Sequence, residues 1–393
     1  MPRPLRAELF DPNEVCIVHC VQRCVRRAFL AGEDPVSGKN YEFRREWIRE
    51  RLECIASIFG VDVLTYAILS NHMHVILRTR PDVVSTWSDH EIARRWLSLF
   101  PGQRVDEFLG QPTQSQIDAM VGDRGRIVEI RERLSNPSWF MRALAEPIAR
   151  LANRQDECTG RFWEGRFKAQ AIRDEAGLLA CSMYVDLNPI RAAMATKPEE
   201  SRHTSAYDRI EGMQGKTIAS MAAETVVLST EEAGRIRRTS TPDELRERRA
   251  TAKRARRGSS ILRDAWLAPL TLDERGKTGP QVSSTPVRAS DKGFLSMSLK
   301  DYLALLKWTG SHRPSVGKPE ATPEVESILK RLGVEGSMWI DLVWKFKKYY
   351  QGSAAGLPET LAQHAQEHQH RWRRGQRAVR GIFAAGEKAV SRG

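Results

Sequence analysis

The chain has 393 residues, 41% of them hydrophobic and 28% charged, and its 62 Lys and Arg against 49 Asp and Glu give a formal net charge of +13. That length suits two to three domains, each able to bury a core of its own. No apolar run approaches the 18 or so residues of a membrane span, and the opening MPRPLRAELF lacks the apolar stretch of a signal peptide. The expectation is therefore a cytoplasmic protein, neither membrane-embedded nor secreted.

The charge is unevenly placed. Residues 1–200 hold 28 basic and 28 acidic side chains, and the remaining 34 and 21 lie beyond them. Two segments carry the excess: 235–257 with ten bases against three acids, and 371–393 with seven against one. Arg supplies 47 of the 62 bases, a bias that suits guanidinium forks gripping phosphates and equally suits a purely compositional preference. A basic half joined to a neutral half points to a nucleic-acid partner, with a solubilising surface as the plain alternative. The six cysteines, at 16, 20, 24, 54, 158 and 181, include no CxxC pair. They suggest a reducing compartment rather than a disulfide scaffold. Cys16, His19, Cys20 and Cys24 crowd together, but Val15, Ile17 and Val18 among them read as a buried strand, so core cysteines are preferred to a metal site.

In chain order, residues 15–22 read as a first strand. Residues 41–59 carry Trp47, Ile48, Leu52, Ile55, Ala56 and Phe59 at the spacing of an amphipathic helix, ended by Gly60. Residues 61–69 and 72–78 are β-rich runs flanking Ser70-Asn71, a hairpin signal. A mostly helical stretch follows, with segments at 88–99 and 125–134, then a strong helix at 137–153. GRFWEGRFKAQAI at 160–172 alternates aromatic and basic residues, and Asp174 reads as the N-cap of a helix to about Leu187. This order suits an α+β domain, an antiparallel sheet with helices on one face. Beyond residue 212 we expect a basic linker (213–258), a disordered or loop-like stretch at 271–292, and helical segments near 297–308 and 322–351. The whole of 259–393 reads as a helical accessory region with a basic tail.

The chemistry centres on Asn71-His72-Met73-His74-Val75-Ile76-Leu77. On a strand, i and i+2 face the same way, so His72 and His74 present two imidazoles while Met73, Val75 and Leu77 bury the other face. Two parallel imidazoles can bind a divalent metal that leaves positions open for substrate oxygen; a pair of satisfied core histidines is the bland alternative. A second pair, His368 and His370, sits in a polar helical stretch and reads as solvated surface, with His364 and His368 a weak i, i+4 metal possibility. In CSMYVDLNPIR, Tyr184 and Asn188 are four apart on one helix face. A tyrosine phenol can attack phosphorus and be displaced again. Alternatively, Tyr184 is core and Asn188-Pro189 simply ends the helix.

Taken together, MPRPLR, LSNHMHVIL, FWEGRFKAQAI and YVDLNPIRAAM resemble the single-tyrosine HUH transposases, closest to the REP-associated tyrosine transposases of bacteria, over roughly residues 1–210. The resemblance implies a ferredoxin-like α+β domain (the HUH nuclease domain, here 1–212) that cuts single-stranded DNA beside hairpin-forming repeats. It implies Mg²⁺ or Mn²⁺ held by His72, His74 and the polar Asn188, and Tyr184 as the nucleophile that forms a 5′-phosphotyrosine link. A nucleoid-associated location and a monomer or homodimer go with it. The separation of 110 positions between His74 and Tyr184 implies a helical insertion at about 81–136. DNA contacts are expected from Arg161, Trp163, Arg166 and Lys168 as a single-strand platform, the equal alternative being a hairpin with core aromatics and bases turned outward, from Arg23, Arg26 and Arg27 after the first strand, which a plain surface loop explains as well, and from Arg191. The alternatives are a domesticated, non-catalytic DNA-binding protein and a two-histidine phosphodiesterase. The latter wants His-x-Ser/Thr motifs that neither His72 nor His74 begins.

Overall fold

The structure, a computed structural model, describes residues 10–25, 30–34, 38–100, 112–222, 229–239, 241, 244, 259–273, 279–314, 320–367 and 379–382. Strands β1 (Ile17–Arg23), β2 (Val61–Ile68), β3 (His72–Thr79) and β4 (Lys168–Ile172) form an antiparallel sheet in the order β2-β3-β1-β4. Since β3 runs antiparallel to both its neighbours, β1 and β2 are parallel, and helix α1 (Arg44–Ala56) makes the crossover between them. The β2–β3 hairpin closes through Leu69 N–H to His72 O at 2.9 Å, as the Ser70-Asn71 signal predicts.

The expected insertion is helical where it is described: α2 (Pro81–Val84), α3 (Asp89–Leu99), α4 (Gln114–Gly122) and α5 (Arg124–Leu134) precede α6 (Pro137–Gln155). Ser88, Thr113 and Asp123 each accept a backbone N–H at the start of α3, α4 and α5, which fixes where those helices begin. Helix α6 lies beside α1, held by Arg51 Nε to Ala143 O at 3.0 Å and Arg44 Nε to Gln155 Oε1 at 2.9 Å. Both pack with Met73, Val75 and Leu77 of β3 and with Trp96, Ile117 and Ile130 of the insertion in one apolar cluster. The 81–136 segment therefore thickens the layer on that face and leaves the face carrying His72 and His74 untouched.

That second face corrects the expectation of helices on one side only. After β4 the chain crosses over into α7 (Glu175–Asp186) and α8 (Asn188–Arg191), followed by α9 (Ser205–Met213) and α10 (Thr230–Thr239). Strands β5 (Thr217–Ala219) and β6 (Ser260–Leu262) form a separate two-stranded sheet. Helices α11 (Leu299–Ser311), α12 (Pro323–Leu332), α13 (Gly336–Trp344), α14 (Phe346–Tyr349) and α15 (Pro358–Glu367) follow. A single apolar cluster joins Ile76 and Ala171 of the sheet to Tyr184, Leu187, Leu305, Trp339 and Phe346, so it spans the expected boundary at 212. A short strand β7 (Ala354–Ala355) pairs parallel to β4 and adds a fifth strand. Two-residue strands carry too little periodicity to be read from sequence.

The stretch at 271–292, expected to be loop-like or disordered, is anchored where it is described. Arg78 donates to Gly293 O at 2.7 Å, Arg80 donates to Pro280 O and Ser290 Oγ, and Ser290 Oγ bonds Asp62 at 2.8 Å. It is loop-like, as expected, and is held in place by buried guanidinium groups together with the buried side chains of Val287 and Ala289. His364, considered from sequence with His368 as an i, i+4 metal pair, is 1% exposed, since α15 turns that side of its polar sequence inward. His368 and His370, most of the 235–257 segment and most of the basic tail lie outside the described residues. Cys20, Cys24 and Cys181 are buried, whereas Cys16, Cys54 and Cys158 are half-buried. No described helix is long and apolar enough to cross a membrane.

Candidate active site

Alternation along β3 turns His72 and His74 to the face opposite Met73, Val75 and Leu77, and their rings lie 4.9 Å apart between centroids. The register of β1 on β3 sets Val21 opposite His74. His19, two residues before Val21, therefore shares that face, and its Nε2 lies 2.8 Å from His74 Nδ1. A further link comes from β4, where Gln170 stands opposite His19. Its amide nitrogen donates to Tyr350 O and Gly352 O, both at 2.9 Å, which leaves its oxygen to receive a proton from His19. His72 Nδ1 donates to Asn71 Oδ1 at 2.6 Å.

The consequence is a fixed pair of tautomers. His72 keeps the lone pair of Nε2, and the Nε2 of His74 is buried with no hydrogen-bond partner. Burial, assisted by the Lys347 cation, lowers His19 to about 3 and His72 to about 4. Burial and then the neighbouring His19 and His72 hold His74 well below the usual histidine range. All three are neutral at neutral pH, the state a metal ligand requires. Among the described residues no three His, Cys, Asp or Glu side chains group to hold a metal ion. The donors that fit are thus the two Nε2 atoms, the orphaned one of His74 above all, with water or substrate oxygen completing the shell.

Tyr184 projects from α7 onto the same face. Its ring meets His74 edge-on at 5.5 Å and His19 at 6.2 Å. It is 1% exposed, because Phe346 stacks on it at 4.9 Å with an interplanar angle of 18°. The Arg191 guanidinium sits 4.6 Å from its ring centre. Burial pushes the phenol up to about 12, with Arg191 pulling the other way. Asn188 Nδ2 donates to Tyr184 O at 2.9 Å, an i to i+4 bond over the junction of α7 and α8. Its Oδ1 is what it has to offer a metal.

The aromatic–basic segment is sorted by its backbone. Val25 N–H to Phe162 O and Glu164 N–H to Arg23 O, both at 2.9 Å, tie it to the end of β1. Phe162 and Phe167 are buried, and Trp163 is 9% exposed with its indole N–H on Ala145 O at 2.8 Å. Trp163 is therefore a packing residue and not an open stacking surface, while Arg161, Arg166 and Lys168 point to solvent. Arg23 is exposed and pairs with Glu164 at 3.4 Å; Arg26 and Arg27 lie outside the described residues. A cavity of 520 Å³ opens beside His72, walled by His19, Arg23, Arg166, Lys168 and Phe346 among others, with Lys347 at its edge. Sequence reasoning treated His19 only as part of a cysteine-rich core strand, although its alternation with Val18 and Cys20 already set it on the other face. Nothing in the sequence near Lys347 links it to residues so distant along the chain.

No protein-family model matches the chain, and no curated protein matches it. Among solved structures it is similar to a REP-associated tyrosine transposase bound to a REP hairpin, at 12% identity, covering 54% of this chain and 87% of that one, with a TM-score of 0.30.

Proposed function

We propose that this chain is a DNA strand transferase of the single-tyrosine HUH type, acting on single-stranded DNA at hairpin-forming repeats. The observation that carries the reading is the meeting of Tyr184 with His74, 5.5 Å apart between ring centres, on the sheet face that also bears His72. The strand order β2-β3-β1-β4 with α1 and α6 on one face supports a ferredoxin-like domain within residues 1–212, followed by the linker (213–258) and the accessory region (259–393). His72 and His74, with Asn188 as third ligand, would hold Mg²⁺ or Mn²⁺, which supplies Lewis-acid polarisation of the scissile phosphate.

The chain's own residues do the rest. The Tyr184 oxygen attacks phosphorus, the bond to the 3′ oxygen breaks, and a 5′-phosphotyrosine and a free 3′-OH result. A 3′-OH then attacks the phosphotyrosine and releases the phenol, so no ATP is consumed. Arg191, beside the ring, eases loss of the phenolic proton, and it works against burial that holds that proton on. The Phe346 side chain has to swing off the Tyr184 ring, with α14 keeping its place, before a strand can reach the phenol. Arg23, Arg161, Arg166 and Lys168 contact flanking phosphates, with Arg26 and Arg27 extending that row in sequence.

The test incubates the protein with Mg²⁺ or Mn²⁺ and a labelled single-stranded oligonucleotide bearing a hairpin. A covalent adduct is expected, lost in Tyr184→Phe with DNA binding retained. No adduct on any hairpin substrate, or an adduct that survives Tyr184→Phe, overturns the assignment. A second reading, a non-catalytic protein that holds repeat hairpins, is favoured by the near-complete burial of Tyr184; hairpin binding without any adduct would select it.

A further inference from the structure

Lys347 stands on α14, in the part of the chain that the family resemblance does not reach, yet its Nζ is 5.9 Å from the centre of the Tyr184 ring. It is exposed and borders the 520 Å³ cavity together with Arg23, Arg166 and Lys168. The acid in that wall, Glu164, is engaged by Arg23. Lys345, two residues before, pairs with Asp341, whereas Lys347 has no carboxylate partner among the described residues. Over the same ring, its guanidinium 4.6 Å from the ring centre, Arg191 keeps one terminal nitrogen, Nη1, buried and without a hydrogen-bond partner. A buried guanidinium nitrogen left bare is costly unless a ligand supplies the acceptor. Partial desolvation by the cavity wall and the neighbouring Arg191 and Arg23 weaken the proton affinity of Lys347, a strain that an anion among these cations relieves.

We infer that α14 completes the cleft, and that Lys347 and Arg191 together bind a phosphodiester oxyanion between the Tyr184 phenol and the His72 wall. The inference rests on the strand-transferase reading and deepens it, assigning to the C-terminal region a direct contact with the substrate backbone. Lys347 supplies a mobile point charge from the cavity wall, and Arg191 a fixed fork beside the ring. The bond is to phosphate oxygen, so the contact is indifferent to base sequence.

The experiment uses the full chain and compares wild type with Lys347→Ala and Lys347→Arg. Lys347 is exposed, so both variants should melt with wild type. Affinity for a fluorescent single-stranded oligonucleotide is measured across salt. Loss of one contact is expected to flatten the log–log slope by about 0.7 and weaken binding about five-fold near 0.1 M salt. Lys347→Arg should restore both, which a merely structural role would not do. Wild-type slope and affinity in Lys347→Ala overturn the inference and leave the strand-transferase reading standing. A second arm uses inorganic pyrophosphate as probe, reading the melting temperature. Stabilisation of wild type but not of Lys347→Ala, in a protein that neither binds DNA nor forms an adduct, keeps the anion site and sinks the DNA reading. No stabilisation together with no DNA binding sinks both.

Discussion

His19 shows how a side chain can matter without touching a substrate. Tyr350 and Gly352 carbonyls orient Gln170, Gln170 orients His19, and His19 takes up the inner nitrogen of His74. Such partners typically change metal affinity 10–100-fold when removed, because they fix the ligand's tautomer and raise its basicity. His19→Phe is therefore expected to weaken Mn²⁺ binding by roughly ten-fold or more, with His19→Gln, which keeps an acceptor, in between; titration of Mn²⁺ against the two variants checks this. Asp186 makes a different residue-scale case. It accepts hydrogen bonds from Ser205 Oγ and Tyr302 Oη, both at 2.6 Å, and from the Ala206 N–H at 3.0 Å, yet burial prevails and raises its carboxyl from 3.8 to about 6. The folded state thus holds this proton more tightly than the unfolded chain. Its contribution is full below pH 4 or so and is lost as pH rises through about 6, by about 3 kcal/mol at the upper limit. Asp186→Asn carries no such charge, so the difference in urea midpoint between it and wild type should change over that interval in the variant's favour.

At the scale of elements, the join between β4, α7 and β7 sets the most demanding geometry. Asp174 caps α7 by accepting from Gly177 N–H at 2.8 Å, and its other oxygen accepts from Leu357 N–H at 2.6 Å. Gly177 lies so close to the returning chain that a Cβ there would stand 2.8 Å from the Gly356 Cα, with backbone on both sides. Gly177→Ala should therefore cost about 1–3 kcal/mol, the usual range for overpacking, and loosen β7; hydrogen exchange at Arg173 N–H, which bonds Ala355 O at 2.9 Å, reports the loosening separately from global unfolding. The same join shows what could be read beforehand. The hairpin at Ser70-Asn71 and the cap at Asp174 were legible because each is a local signal: a turn pair between β-rich runs, an Asp before a helical pattern. The paired faces of His72 and Met73 followed from alternation alone. His19 against His74, β7 against β4 and Phe346 on Tyr184 were not legible. They join residues with no shared local pattern, and only register and packing bring them together.

At the scale of the whole molecule, the apolar cluster that surrounds Tyr184 draws on both sides of residue 212. Tyr302 of α11 closes the Asp186 network, and Arg209 of α9 donates to Leu64 O and Ala268 O at 3.0 and 2.9 Å. A chain cut after residue 212 keeps the α1–α6 layer and α7 but uncovers the side of α7 around Tyr184 and Leu187, against which Phe346 and Gly310 pack. We expect it to bind a hydrophobic dye and to aggregate at concentrations where the full chain stays dispersed, with light scattering as the measure. If it is as well behaved as the full chain, the C-terminal helices are an appendage and not a layer of the fold.

The strand β7 also bears on how the protein is made. The catalytic side chains of our reading leave the ribosome long before Ala354, whose arrival closes the β4 edge. Until then the nascent sheet offers bare backbone donors and acceptors along β4, the kind of edge that recruits strands from other chains. Every round of synthesis thus passes through an interval in which the phenol, the imidazoles and an unpaired edge coexist uncovered, and its length is set by translation speed and not by any equilibrium of the finished fold.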